Sequence, residues 1–182
     1  AGIGKTLLPL GVEAWELDDL DRAESLLLES ARRLSETTDT WAYWIALSAL
    51  AGVASERGDF ARAWQFSEDA LAVHRERGDQ GQIAFEFSYM GWYAIATREY
   101  AKAQSLFTQS LQINRAVGGP GSVRVNLEGL AEVAIAQGDL DRAGTLLAEG
   151  ATLSPFGSQP SYLPLLAGRL ARARGEGDGA RT

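Results

Sequence analysis

The chain opens Ala1-Gly2-Ile3-Gly4-Lys5-Thr6, and its Gly-Lys-Thr has the residue types that close a phosphate-binding loop, G-x-x-x-x-G-K-[ST]. In such a loop backbone N–H groups cradle phosphate, but a preceding strand and an earlier glycine are needed, and both would lie before Ala1. In the chain's own periodicity, described below, Lys5 and Thr6 instead fall on an ordinary helix. His74, the single histidine, has the chemistry of a general base. Its place near the end of a helical stretch predicts a solvated or cap-interacting role. The carboxylate pairs Asp18-Asp19 and Glu24 with Glu29 carry little information, because acidic chains produce such pairs routinely. Asp59 with Arg62 and Asp139 with Arg142 stand at predicted helix starts, where capping and an i,i+3 ion pair account for them.

Composition narrows the chemistry further. None of the 182 residues is Cys and one is His, which excludes a disulfide framework, a zinc knuckle, a thiol nucleophile, an iron-sulfur cluster and a multi-histidine metal site. A metal held by carboxylates alone stays open; no catalytic residue, metal ligand or cofactor is predicted. With 24 Asp and Glu against 17 Lys and Arg, the net charge of -7 opposes the phosphate neutralisation on which nucleic-acid affinity depends. No direct nucleic-acid contact is expected from this segment. No apolar stretch approaches the ~18 residues of a membrane span and no secretory pattern opens the chain, which predicts a cytoplasmic protein without a membrane partner. The first residue is Ala1 and the only methionine is Met90, so the chain reads as a piece of a longer protein.

Internal repetition shows which elements must position these groups. Ala23, Ala63, Ala103 and Ala143 are each 40 positions apart. In the same register Arg22, Arg62, Lys102 and Arg142 immediately precede the alanine, behind Leu20, Phe60, Tyr100 and Leu140 and then Asp19, Asp59, Glu99 and Asp139. A second alanine column holds Ala14, Ala54, Ala94 and Ala134, preceded by Gly11, Ala51, Gly91 and Ala131 and by Leu10, Leu50, Met90 and Leu130. Within a repeat the apolar spacing is helical: Ile45, Leu47, Leu50, Val53 and Ala54 make one stripe, and Phe60, Ala63, Phe66, Ala70 and Val73 the next. Gly58-Asp59 and Gly138-Asp139 are natural helix-turn-helix punctuation, glycine taking the left-handed position and aspartate capping the next helix. Asp18-Asp19 and Arg98-Glu99 predict the same turn without the glycine, held less comfortably. The paired alanines let two antiparallel helices approach closely.

The pattern predicts helix pairs at about 5–34, 40–76, 81–115 and 122–153 and one more helix at 162–173. Polar loops are expected at Ser35 to Thr38, Gly78 to Gly81, Gly118 to Ser122 and Ser154 to Ser161. The fold class is all-α: an α-α solenoid of four helix-turn-helix repeats, about 5–39, 40–79, 80–119 and 120–159, forming one domain over 1–174. Leu163, Leu166 and Leu170 make the last helix a cap, and the Gly-rich tail 175–182 is expected to be disordered.

At these columns the chain resembles a tetratricopeptide (TPR) repeat array. Its pattern appears as Leu7-x2-Leu10-Gly11-x2-Ala14 with Ala23-x3-Leu27, and as Phe87-x2-Met90-Gly91-x2-Ala94 with Ala103-x3-Phe107. The departures are a longer period, alanine in the tyrosine column and no closing proline, which imply longer helices. Units written L-[GA]-x2-A-x3-[GD]-D-[LF]-x-[RK]-A also resemble the C-terminal arrays of large ATP-binding bacterial transcriptional activators of the LuxR and maltose-activator type. That resemblance implies a sensor arm that binds an inducer or partner and serves separate nucleotide-binding and DNA-binding domains.

In arrays of the TPR kind the first helix of each unit lines a concave groove. The resemblance maps those positions to Leu8, Val12 and Trp15; Ile45, Ser48 and Ser55; Phe85, Ser88 and Trp92; and Glu128, Glu132 and Ile135. This implies an apolar, aromatic channel with an acidic end, binding a peptide, partner protein or small effector; the alternative is that the large aromatics are buried between units. A stand-alone scaffold, self-associating through an N-terminal unit whose Leu7, Leu8 and Leu10 lie exposed, is the second reading. A nucleotide-binding fragment is the third.

Overall fold

A computed structural model describes residues 2–117, 120–153 and 161–176. Among the described residues there are nine helices and no strand: α1 (Gly2–Glu16), α2 (Leu20–Ser35), α3 (Thr40–Glu56), α4 (Phe60–Arg77), α5 (Gln80–Ala96), α6 (Tyr100–Val117), α7 (Pro120–Gln137), α8 (Leu140–Thr152) and α9 (Leu163–Ala173). The all-α repeat fold expected from the forty-residue register is the fold observed. Gly81 and Ser122, expected in loops, lie inside α5 and α7, because Gly78 ends α4 in one left-handed step and Pro120 suits a first helical turn. The expected Ser154 to Ser161 loop, up to residue 160, lies outside the described residues, as does the expected disordered tail beyond Glu176.

The same turn joins the helices of each repeat. Asp18, Gly58, Arg98 and Gly138 all have positive φ, at 61°, 75°, 63° and 79°. The next N–H donates back to the first helix: Asp19 to Ala14, Asp59 to Ala54 and Asp139 to Ala134 at 2.9 Å, and Glu99 to Ala94 at 2.7 Å. Asp19, Asp59 and Asp139 then accept from the N–H groups of Arg22, Arg62 and Arg142 at 3.2 Å. Glu99 accepts instead from the Thr97 hydroxyl at 2.8 Å, with Lys102 beside it. Both alanine columns are buried, as small residues that let paired helices approach should be.

The chain divides into two compact units, Ala1–Asp79 and Gln80–Thr182. Unit 1 holds α1 to α4 around an apolar cluster of Ala14, Leu27, Leu34, Leu50 and Val53, among others. His74 belongs to this interior, 0% exposed, with its ring 5.0 Å from Trp44 in an edge-on contact. Of the solvated or cap-interacting role expected, the first is excluded because the side chain is in the core, while the backbone carbonyl accepts from Asp79 N–H at 3.0 Å at the end of α4; burial lowers the pKa of the imidazole. Unit 2 holds α5 to α9. The last helix caps it as expected, burying Leu166 and Leu170 with Ala131, Ala143 and Leu147, while Leu163 is half-buried beside them. Gly175, at φ 74°, closes α9, and Glu176 N–H donates to the Ala171 carbonyl at 2.9 Å.

Candidate functional site

Phe107 organises unit 2. It is fully buried, wedged from α6 between the backbones of α5 and α7 where each offers a glycine. A Cβ would stand 2.7 Å from its ring at Gly91 and 2.4 Å at Gly129, closer than carbon atoms tolerate. Trp92 meets this ring edge-on, with centroids 5.3 Å apart, and is thereby held against α6. Phe85, Ser88, Tyr89 and Trp92 lie at i, i+3, i+4 and i+7 of α5 and so share a face. Phe85 and Tyr89 pair at 4.6 Å, and Tyr162, just before α9, tilts over Trp92 at 5.6 Å. With Gln82, Asn114 of α6 and Ser122 and Val125 of α7, these side chains line a pocket of about 380 Å³.

The back of the pocket is polar but carries no charge. Ser88 contacts Ser110 at 2.8 Å and donates to Asn126 Oδ1 at 3.0 Å; Asn126 Nδ2 donates to the Ser122 carbonyl at 2.8 Å. Ser110 donates to the Ala84 carbonyl at 2.6 Å and accepts from Asn114 Nδ2 at 3.1 Å. All four side chains are buried, so the network is rigid for the same reason that it is sheltered. Burial, with Glu86 and Tyr162 adding to it, pushes the Tyr89 phenol above its usual range and keeps it neutral.

The acidic end expected at α7 is absent. Glu128 is fully buried, faces Arg124 at 3.4 Å, and accepts from the Ser161 hydroxyl at 3.1 Å and from Tyr162 N–H at 3.3 Å. Glu132 is buried and paired with Arg169 of α9. Both carboxylates are spent on the cap and its approach, and Glu128 thereby holds the Tyr162 backbone beside the pocket. Ile135 is half-buried against the α7–α9 cluster.

The groove positions expected in unit 1 do different work. Leu8, Val12 and Trp15 are half-buried and pack on the core cluster. Trp15 lies across Gly52 of α3, where a Cβ would stand 2.3 Å from the indole. Ile45, Ser48 and Ser55 are half-buried on α3. Of Phe85, Ser88 and Trp92, expected on α5, all line the pocket. Sequence reasoning missed Tyr89, although it lies on the face already marked by Phe85 and Trp92. It also missed Asn114, Val125 and Tyr162, the last of which stands outside the repeat register.

Lys5 and Thr6 lie at the end of the first turn of α1, with Gly4 buried under Leu34, Lys5 paired to Asp39 at 2.5 Å and the Thr6 hydroxyl donating to the Gly2 carbonyl. The Lys5 ammonium is thus turned to a carboxylate and Gly4 is covered by side chains of α2. Of the leucines expected to lie exposed on α1, Leu10 is exposed and Leu7 and Leu8 are half-buried. Among the described residues no His, Asp and Glu side chains gather as a metal-holding group, and no helix is long and apolar enough to cross a membrane.

Neither a protein-family model nor a curated protein matches the chain. Solved structures do. BtubC (BKLC) from P. vanneervenii superposes with a TM-score of 0.78 at 20% identity, over 96% of this chain and 75% of that one. A Podosopora anserina protein of nearly identical TPR-like repeats, named for kinesin light chain, gives 0.75 at 16% identity, over 94% of this chain and 86% of that one. RapI in its apo form gives 0.78 at 14% identity, and this chain spans about half of it, 55%. The fold is TPR-like. At these identities the likeness is one of fold alone.

Proposed function

We propose that the chain is a binding module with no catalysis of its own, and that unit 2 seats an apolar or aromatic group of a peptide, partner protein or small effector among Phe85, Tyr89, Trp92 and Tyr162. One observation carries this reading: an aromatic-walled pocket of about 380 Å³ stays open in a unit where Phe107, close by, is packed without space to spare. Pockets of this size, mostly apolar with a few fixed polar groups, are the usual form of a ligand site. Aromatic anchors in such pockets supply most of a partner's binding energy. The TPR-like fold supports a protein or peptide partner. The resemblance of the repeat units to the arrays of large bacterial activators supports a sensing arm within a longer cytoplasmic transcriptional regulator, in which occupancy of the pocket alters how helix pairs stack.

The reading is tested by selecting peptides from a displayed random library on the immobilised chain. Selected peptides should compete with one another and lose about tenfold or more in affinity with Phe85→Ala or Trp92→Ala. Trp41→Ala, which removes an exposed indole of unit 1, should leave that affinity unchanged. Peptides indifferent to Phe85 and Trp92 would show that the pocket is not the binding surface.

A further inference from the structure

The hydrogen-bond polarity of the pocket is set from behind. Asn126 gives its Nδ2 to the Ser122 carbonyl, so Asn126 Oδ1 is what faces Ser88, whose single hydroxyl hydrogen is shared among that oxygen and the Ala84 carbonyl, each at 3.0 Å, and Ser110 at 2.8 Å. Ser110 must spend its one hydrogen on the Ala84 carbonyl at 2.6 Å, because a carbonyl can only accept, and in its 2.8 Å contact with Ser88 it is the acceptor. It has only a lone pair to offer Asn114, which must turn Nδ2 toward it, at 3.1 Å. The group left at the pocket wall is the Asn114 carbonyl oxygen. That residue is 5% exposed, lines the pocket, and its Oδ1 accepts no hydrogen bond among the described residues.

Building on the binding role proposed above, we infer that this pocket selects an uncharged planar group with a hydrogen-bond donor on its edge, a phenol or an indole, carried by a peptide side chain or by a free small aromatic. Flatness is asked for by the ring walls of Phe85, Tyr89, Trp92 and Tyr162. Neutrality is asked for by a lining that, among the described residues, has no Asp, Glu, Lys or Arg, so that an ion would lose its hydration and gain no counter-charge. The donor is asked for by Asn114: a plain ring would shut its carbonyl oxygen away from water with no partner, the situation that lets polar sites reject analogues lacking a donor. Unit 1 has Leu34 and His74 at the corresponding register positions, so the acceptor belongs to this pocket and not to the repeat as such.

The test is titration of the isotope-labelled chain, followed by amide and indole NMR shifts, with pairs of probes equal in shape and different in donor. p-Cresol should bind about fivefold to tenfold more tightly than 4-methylanisole, and indole more tightly than N-methylindole by a similar factor. 4-Methylbenzylammonium and 4-methylbenzoate should bind more weakly than p-cresol. Asn114→Leu, which installs the residue that unit 1 has at position 34, should reduce the cresol to anisole ratio to near one. Should that variant fail to fold, Ser110→Ala, which installs the residue found at the register counterpart Ala70, unlocks the Asn114 amide and should lower the same ratio while its spectrum stays native. N-acetyl-tyrosinamide binding more tightly than p-cresol points to a peptide source, and the reverse to a free aromatic. Equal binding of cresol and anisole, or preference for the ammonium or carboxylate, overturns the donor inference and leaves the pocket as a binding site. Failure of every aromatic probe to shift unit 2 resonances overturns both.

Discussion

Units 1 and 2 begin from the same forty-residue register and fill it differently. In unit 1 the register position of Trp92 is Gly52, and Trp15 swings across that glycine and occupies the space. In unit 2 Trp92 stands at the position itself, braced by Phe107, and the face beside it stays open. The interiors diverge in the same way. Buried polar side chains in unit 1 are Ser30, Ser67 and His74, whereas unit 2 also buries Ser88, Ser110, Asn114, Asn126 and the charged Glu86, Arg124, Glu128 and Glu132. Burying charge costs stability relative to an apolar core. Unit 2 carries that cost and has an open aromatic pocket as well.

The largest expected effect comes from Phe107→Ala, a fully buried aromatic whose loss costs about 3–5 kcal/mol in denaturant unfolding and also removes the brace of Trp92, so that probe binding falls with stability. Leu27→Ala, at the same register position in unit 1, should cost a comparable ~2–5 kcal/mol and leave binding at the pocket intact. If it weakens binding as much, the contrast between the units fails.

Next, Gly129→Ala should cost about 1–3 kcal/mol, because the added carbon meets a ring held on all sides. Gly52→Ala should cost less, since Trp15 is only half-buried and swings aside, exposing the indole to fluorescence quenchers. Arg98→Gly should stabilise by about 1 kcal/mol by freeing a non-glycine residue from positive φ, and Asp18→Gly by less, because aspartate tolerates that region better.

The smallest effect is a slope. His74 is harder to protonate folded than unfolded, so below its ordinary pKa of 6.5 the unfolded chain binds more protons and stability falls as pH falls, until the lowered folded pKa is passed. Burial is the main cause; Arg77 adds to it and Asp79 opposes it. His74→Leu should flatten the unfolding midpoint between about pH 7.5 and about pH 5, while wild type loses stability over that window.

Much of this was legible beforehand because it depends on spacing. The alanine columns, the left-handed step at Asp18 and Arg98, the aspartate caps and the cap leucines all repeat at a fixed interval, and a repeat that buries its faces on its neighbours must reuse the same contacts. Phe85, Ser88 and Trp92 were marked by the resemblance to TPR arrays, which maps groove positions onto this register, and all three line the pocket. Glu128 and Glu132 were misread as an acidic groove end because their partners lie elsewhere: Arg169 and Ser161 stand outside the register, and Arg124 occupies a position that other repeats fill with Gly4, Trp44 and Ala84.

The sequence by itself determined the helices, their turns and the hairpin contacts, since these rest on local propensity and on periodicity, both of which are properties of neighbours along the chain. Tertiary structure alone decided which groove positions are filled and which are open. That depends on whether a large side chain finds a glycine opposite it, as Trp15 does at Gly52 and Phe107 does at Gly129, and on which direction a chain of buried hydroxyls hands its hydrogens.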